Sequence, residues 1–253
     1  METSRDSTVG GESWSSSDVA TSGGTYRSEN VAKDNISIRT SMRQRSEVQE
    51  GNGLIQVTAM LPARVEELAT RRKTARKFSR NPVNLEDVLY CIRVAVQAPS
   101  GAKRQPWRFV IVDDHEMKEK VRTVCEELEK RFHDSAEASL KGWFRSKNIT
   151  WEKLFLTEAP MLLAVFSDQK MPYATESTWI AIGYIILALE ERSLSTLTYT
   201  PSYPENVRGL FNAPEEYKLE TILPIGYSAD TKPKEYRRPF QSSIYRNVWN
   251  AQP

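Results

Sequence analysis

Leu85, Val88, Leu89, Ile92 and Ala95 recur at helical spacing behind Asn84, a natural N-cap, and Pro99 closes the pattern, so a helix is predicted between them. Ahead of it, Pro62 at the start of Ala63-Arg64-Val65-Glu66-Glu67-Leu68-Ala69 fits a first-turn proline and a short helix. Arg108-Phe109-Val110-Ile111-Val112 reads as a strand ended by Asp113-Asp114. From about residue 116 to 140 the chain is rich in Glu, Lys and Arg, with Val121, Val124, Leu128 and Phe132 on one stripe, the mark of an amphipathic helix. A short helical piece ends at Ala159-Pro160, and Met161-Leu162-Leu163-Ala164-Val165-Phe166 is a continuous apolar run of strand length. The helix that follows, from about 174 to 192, is apolar on most of its circumference and needs cover on several sides. Thr196-Leu197-Thr198-Tyr199-Thr200 and Thr221-Ile222-Leu223-Pro224-Ile225-Gly226-Tyr227 complete the strands. Strands separated by helices, without an internal repeat, predict a mixed α/β domain of three layers or fewer.

Composition divides the 253 residues. The first thirty hold eight Ser and four Gly with almost no aliphatic side chains, too little apolar surface to offset the entropy of ordering. Residues 1–58 are therefore expected to be a disordered tail and 59–253 the folded domain. Asp6, Glu12 and Asp18 argue against an acidic-poor transit peptide, and no apolar stretch follows a basic start, so a cytoplasmic address is the expectation. The longest apolar run, from Trp179 to Leu189, is well short of the roughly 18 residues a membrane span needs. Cys91 and Cys125 lie in helical patterns, which suits a reducing compartment; with His115 and His133 they lack any metal-ligand spacing, so no metal is expected. With 35 basic and 33 acidic residues the net charge is +2, which gives no nucleic-acid signal.

Two stretches carry candidate chemistry. Pro99-Ser100-Gly101-Ala102-Lys103-Arg104-Gln105-Pro106 joins helix to strand; Pro and Gly free its backbone N–H groups, and Ala102 keeps bulk away from anything lying flat on the loop. A plain connector explains the Pro and Gly but not the polar residues packed between them. The basic cluster Arg71-Arg72-Lys73-Thr74-Ala75-Arg76-Lys77 reads either as a solvated turn or as a clamp for a phosphate monoester, for which Arg supplies paired donors.

Arg72-Lys73-Thr74-Ala75-Arg76, Ala98-Pro99-Ser100-Gly101-Ala102, Gln105-Pro106-Trp107, Glu158-Ala159-Pro160 and Leu223-Pro224-Ile225-Gly226-Tyr227, in that order, resemble the FMN-dependent nitroreductase superfamily. Within it, the Ala98–Ala102 loop, Thr198-Tyr199-Thr200-Pro201 and a charged helix followed by Trp151-Glu152-Lys153 are most similar to the iodotyrosine deiodinase branch. The resemblance implies an α+β, three-layer fold with a central mixed sheet flanked by helices, in an intertwined homodimer whose C-terminal segment, from Arg238 to Tyr245, embraces the partner. It implies that Arg72, Lys73 and Thr74, with Arg237, hold the FMN phosphate and ribityl chain. Pro99 and Ser100 would run along the flavin, and Thr198, Tyr199 and Thr200 would meet its ring, with one threonine hydroxyl at N5. Gly101 and Ala102 would present backbone to a substrate's phenolic oxygen. A lid over an amino-acid substrate would fall on Glu129, His133 and Lys153, with His133 standing where the branch has a tyrosine.

The expected activity is reductive dehalogenation of a halotyrosine or related halophenol, with NAD(P)H or a partner reductase as electron source and a small aromatic substrate as ligand. A broad NAD(P)H-dependent nitro- or quinone-reductase is the alternative enzyme. A flavin-binding sensor or store without turnover is the alternative of another class.

Overall fold

The computed structural model describes residues 65–147 and 149–249, so the expected tail at 1–58 lies outside the described residues. Ten elements follow in order: α1 (Val65–Arg71), α2 (Leu85–Ala95), β1 (Trp107–Val112), α3 (His115–Ser135), α4 (Ala138–Ser146), α5 (Phe155–Glu158), β2 (Met161–Asp168), α6 (Ala174–Glu191), α7 (Pro204–Leu210) and β3 (Tyr217–Ile225). Single 3₁₀ turns occupy Gly101–Lys103 and Phe240–Ser243. Asn84 caps α2 by accepting the Glu86 N–H at 3.0 Å, and Asp114 caps α3 by accepting that of Met117 at 2.7 Å.

The sheet has the order β1-β2-β3, and both pairings are antiparallel. The parallel contribution among the described residues is one isolated bridge, Thr74 to Thr196. The stretch 196–200 likewise joins by bridges, at Thr196 and Tyr199, because its register follows two different neighbours, the 74–75 segment and β3.

Side chains alternate across a strand, and in β2 that alternation builds both halves of the core. Leu162, Ala164 and Phe166 pack with Val121, Cys125 and Leu128 of α3, Leu156 of α5 and Val207 of α7. Met161, Leu163 and Val165 pack with Val88, Cys91 and Ala95 of α2 and Ile182, Ile185 and Leu189 of α6. The result is three layers, helices on each face of the sheet. β3 changes parity midway: Leu219 and Ile222 share one face, Leu223 and Ile225 the other. An irregularity in the pairing explains it, since Val165 faces Thr221 while Phe166 faces Leu219, leaving Glu220 as the extra, bulged residue. The Glu220 carboxylate, 3% exposed, accepts from Ser167 Oγ, Thr175 Oγ1 and Trp179 Nε1, and so ties the first turns of α6 to the sheet. Burial pushes its pKa up, but the Ser167, Thr175 and Lys218 donors outweigh that and hold it below the usual carboxylate value.

Candidate functional site

The Arg-rich segment reaches a cleft because backbone pairing places it there. Thr74 bridges to Thr196, and the Ala75 N–H donates to the Thr196 carbonyl at 3.1 Å, so the segment runs beside the threonine stretch. Arg72, Thr74, Thr198 and Arg237, four of the residues expected to hold a cofactor, line one cavity of about 820 Å³. Leu197 and, from α6, Gly183, Ile186 and Leu187 supply its apolar wall, and Glu66 and Glu235 also line it. Neither Arg72 nor Arg237 has a side-chain hydrogen bond or ion pair among the described residues. Lys234, which the sequence reading missed, lines the same cavity and donates to the carbonyls of Ala69 and Thr70 at 2.7 and 2.8 Å. Its pKa is pushed down by desolvation and by the charges of Arg72 and Arg237. Crowding of like charge is what an anion would relieve. The signal was available in the charge run Lys232-Pro233-Lys234-Glu235-Tyr236-Arg237-Arg238.

Two residues expected at the cofactor have their side chains engaged elsewhere. Lys73 turns its ammonium to the carbonyls of Asp230 and Lys232, at 2.6 and 2.7 Å, so it fastens the C-terminal segment and its side chain is spent there. Tyr199 is buried, 7% exposed, between the exposed Thr198 and Thr200. Its N–H donates to the Ile222 carbonyl, its own carbonyl accepts from the Ile222 N–H and the Thr221 hydroxyl, and its phenol donates to Glu129, so every polar group it has is committed inside. Thr198 and Thr200 share the opposite face. Thr200 Oγ1 donates to the Glu220 carbonyl at 3.3 Å, leaving its lone pairs to accept.

The Pro99–Ala102 loop is drawn tight. Ser100 Oγ accepts the Gln105 N–H at 3.1 Å, the Gly101 N–H donates to Ser177 Oγ at 3.1 Å, and Ala102, Lys103 and Gln105 adopt positive φ of 48, 56 and 49°. The exposed Ala102 keeps its N–H without a partner among the described residues. Gly101 is required by space, since a Cβ there would lie 2.8 Å from Tyr173 Cδ2 and 3.0 Å from the Pro172 carbonyl. Loop and cavity touch α6 at different heights: Ser177 sits in its first turns, while Gly183 to Leu187 line the cavity six to ten residues on, about 9 to 15 Å further along at roughly 1.5 Å per residue. No residue of the Pro99–Ala102 loop lines the cavity that Arg72 and Arg237 line.

Glu129 and Lys153 do meet. Both are buried, 7% and 8% exposed, with Lys153 Nζ 3.8 Å from Glu129 Oε2. Glu129 Oε1 accepts from Tyr199 OH at 3.1 Å and from Ser202 N and Oγ at 3.1 and 3.0 Å. Glu126 accepts the Lys153 N–H at 2.7 Å and the Arg122 guanidinium at 2.8 Å, and so holds the lysine's backbone against α3. Desolvation pushes the Lys153 pKa down, with Glu129 and Glu126 opposing. His133 does not join the pair as expected: its ring stacks on Phe144 of α4, centroids 4.2 Å apart and planes at 10°.

Cys91 and Cys125 are buried free thiols, each pushed up to about 12 by burial. Among the described residues no group of three His, Cys, Asp or Glu is placed to hold a metal ion, and no helix is long and apolar enough to cross a membrane.

Residues 69–227 match the model of the Nitroreductase family. An iodotyrosine deiodinase of Thermotoga neapolitana is 49% identical over 168 residues, 66% of this chain and 90% of that one. An iodotyrosine deiodinase of Nematostella vectensis is 33% identical over 187 residues, 68% of this chain and 70% of that one. A crystal structure of oxidised iodotyrosine deiodinase bound to FMN and 3-iodo-L-tyrosine superposes with a TM-score of 0.69 at 46% identity, covering 73% of this chain and 99% of that one.

Proposed function

The chain belongs to the nitroreductase family, and on that footing we propose that it is an FMN-dependent oxidoreductase that removes halogen reductively from halotyrosine-type phenols. The observation that carries the reading is the convergence of Arg72, Arg237 and Thr198 on one cavity. The fit to FMN is one of donor chemistry: guanidiniums without a partner among the described residues beside Lys234 for a phosphate, and an apolar wall with the exposed Thr198 for a ribityl chain and flat ring. When bound, FMN supplies the electrons for the reduction and a surface on which a phenol stacks. Everything else falls to the chain. Thr198 and Thr200 offer hydroxyls along one face, and the unpartnered Ala102 N–H meets a phenolic oxygen and favours its ionised form. The Glu129–Lys153 pair offers one charge to each end of an amino-acid zwitterion, which favours a halotyrosine over a bare halophenol.

A complete site takes two copies. The loop and the arginine cavity, which touch α6 at different heights, come together when α6 of one chain lies against the other chain. Trp179, Ile180 and Tyr184 leave an apolar face of α6 37, 42 and 38% exposed, and Tyr236, Phe240 and Trp249 stand exposed on the C-terminal segment. Cover for both is what a homodimer provides. Buried thiols suit a cytoplasmic address, and NAD(P)H or a partner reductase is the electron source in this reading.

The test is direct. The purified protein should be a yellow dimer with one FMN per chain after gel filtration, and should release halide from halotyrosine when reduced. A colourless protein that does not take up added FMN would overturn the reading. Turnover of nitroaromatics with NADPH while halotyrosines are ignored would leave the broad nitro- or quinone-reductase, and a flavin that is never turned over would leave the sensor or store.

A further inference from the structure

Glu129 uses its two carboxylate oxygens differently. Oε1 accepts three hydrogen bonds, from the Tyr199 phenol, the Ser202 N–H and the Ser202 hydroxyl, all at 3.0 to 3.1 Å. Oε2 has Lys153 Nζ at 3.8 Å, an ion pair too long to be a hydrogen bond. The three donors on Oε1 come from one short stretch, 199–202, which follows directly on Thr198. Tyr199 is itself fixed: both its backbone groups pair with Ile222 of β3, and its ring meets Phe155 edge to face at 5.4 Å. The donors on Oε1 thus come from a stretch that Tyr199 ties to the sheet, whereas Lys153 belongs to the segment between α4 and α5, its N–H held by Glu126 of α3 and its ammonium donating to the Thr150 carbonyl at 2.7 Å.

We propose that Tyr199 and Ser202 are positioning residues for the amino-acid end of the ligand, anchoring Glu129 by Oε1 so that Oε2 and the Lys153 ammonium are the two charges a zwitterion separates and takes. This rests on the halotyrosine reading given above. A ligand entering between Glu129 and Lys153 replaces the weakest contact of the cluster, a 3.8 Å ion pair, and leaves the three shorter bonds in place. Its ammonium meets Oε2 and its carboxylate meets Lys153. The phenol that faces this carboxylate comes from the threonine stretch, while the ring one turn along α3, His133, is spent on Phe144.

The experiment titrates the oxidised holoenzyme with 3-iodotyrosine and with 2-iodophenol and follows quenching of flavin fluorescence, for the wild type, Tyr199→Phe and Ser202→Ala. Tyr199→Phe keeps the ring against Phe155 and removes the phenol's contacts with Glu129 and Cys125, whereas Ser202→Ala removes one bond to Glu129. Each variant should bind iodotyrosine about tenfold more weakly, or worse, for one bond lost to a charged group. Iodophenol affinity and flavin content should stay as in the wild type, so the ratio of the two affinities falls. An unchanged ratio in both variants overturns the proposal while the dehalogenase reading stands. Equal loss for the two ligands overturns it as well, because that marks a general structural role. A wild type that does not distinguish the two ligands sinks the halotyrosine reading itself and this inference with it.

Discussion

The amide of Gly101 donates to the hydroxyl of Ser177 at 3.1 Å, and this bond fastens the loop that carries Ala102 to the first turns of α6. The approach is so close that a methyl group at Gly101 would meet Tyr173 Cδ2 at 2.8 Å and the Pro172 carbonyl at 3.0 Å. Gly101→Ala should therefore push the loop off α6 and cost about 1–3 kcal/mol, as overpacking does. Urea unfolding checks the stability, and halophenol binding to the holoprotein should weaken with it. Wild-type stability and binding in the variant would show that the loop moves freely.

Arg72 and Lys73 are neighbours with different expected effects. Arg72→Ala should weaken FMN binding by about 1.5–3 kcal/mol, one charge-assisted contact to phosphate, and leave riboflavin binding unchanged. Lys73→Ala removes the tie to the Asp230 and Lys232 carbonyls, and should lower thermal stability and loosen the C-terminal segment. Flavin fluorescence titrations of the apoprotein, beside melting curves, separate the two. The same phosphate-specific loss from both variants would return the Lys73 side chain to the cofactor.

Ile180, 42% exposed on the outer face of α6, tests the dimer. A charge there cannot be buried without a partner, so Ile180→Glu should give a folded monomer that has lost its flavin. Sedimentation with absorbance detection reads mass and cofactor together. A dimer that keeps FMN would place the interface elsewhere.

His133 gives the α3–α4 pair a pH dependence of known sign. Burial and then the charge of Lys153 hold its pKa below the ordinary value, while Glu129 and Asp134 pull the other way. With the folded value below the unfolded one, the neutral ring is the favoured partner of Phe144. Its contribution is complete above the unfolded value of about 6.5 and is lost as the pH falls from there through the folded value. His133→Phe keeps an aromatic ring and removes the titration, so its melting temperature should drop less than the wild type's on acidification. Equal drops would assign the acid sensitivity to other groups.

Long periodic elements were legible in the sequence: α2 with its Asn84 cap, β1, β2 and α6 fall where apolar spacing places them. α4 was not, because Ala138–Ser146 carries Gly142 and offers one buried side chain, Phe144, as its signal. The turn into α4 at Ala136 also ends α3 before residue 140. α7 was hidden in the same way, a seven-residue helix with Val207 as its buried residue. Within the site, Arg72, Thr74, Thr198 and Arg237 line one cavity. The placement of Tyr199 could have been read from alternation, since a residue between two outward-facing threonines must face inward. Its bond to Glu129, across seventy residues of chain, could not, because no local spacing encodes it.

The height difference along α6 has a genetic consequence. If each site takes its arginines from one chain and its loop from the other, a chain damaged at Arg72 and a chain damaged at Gly101 are each inactive alone. Mixed in one cell, they would pair into heterodimers holding one intact site and one doubly damaged site. Two inactive alleles of a single gene would then restore function to each other, and the amount restored would count the mixed dimers.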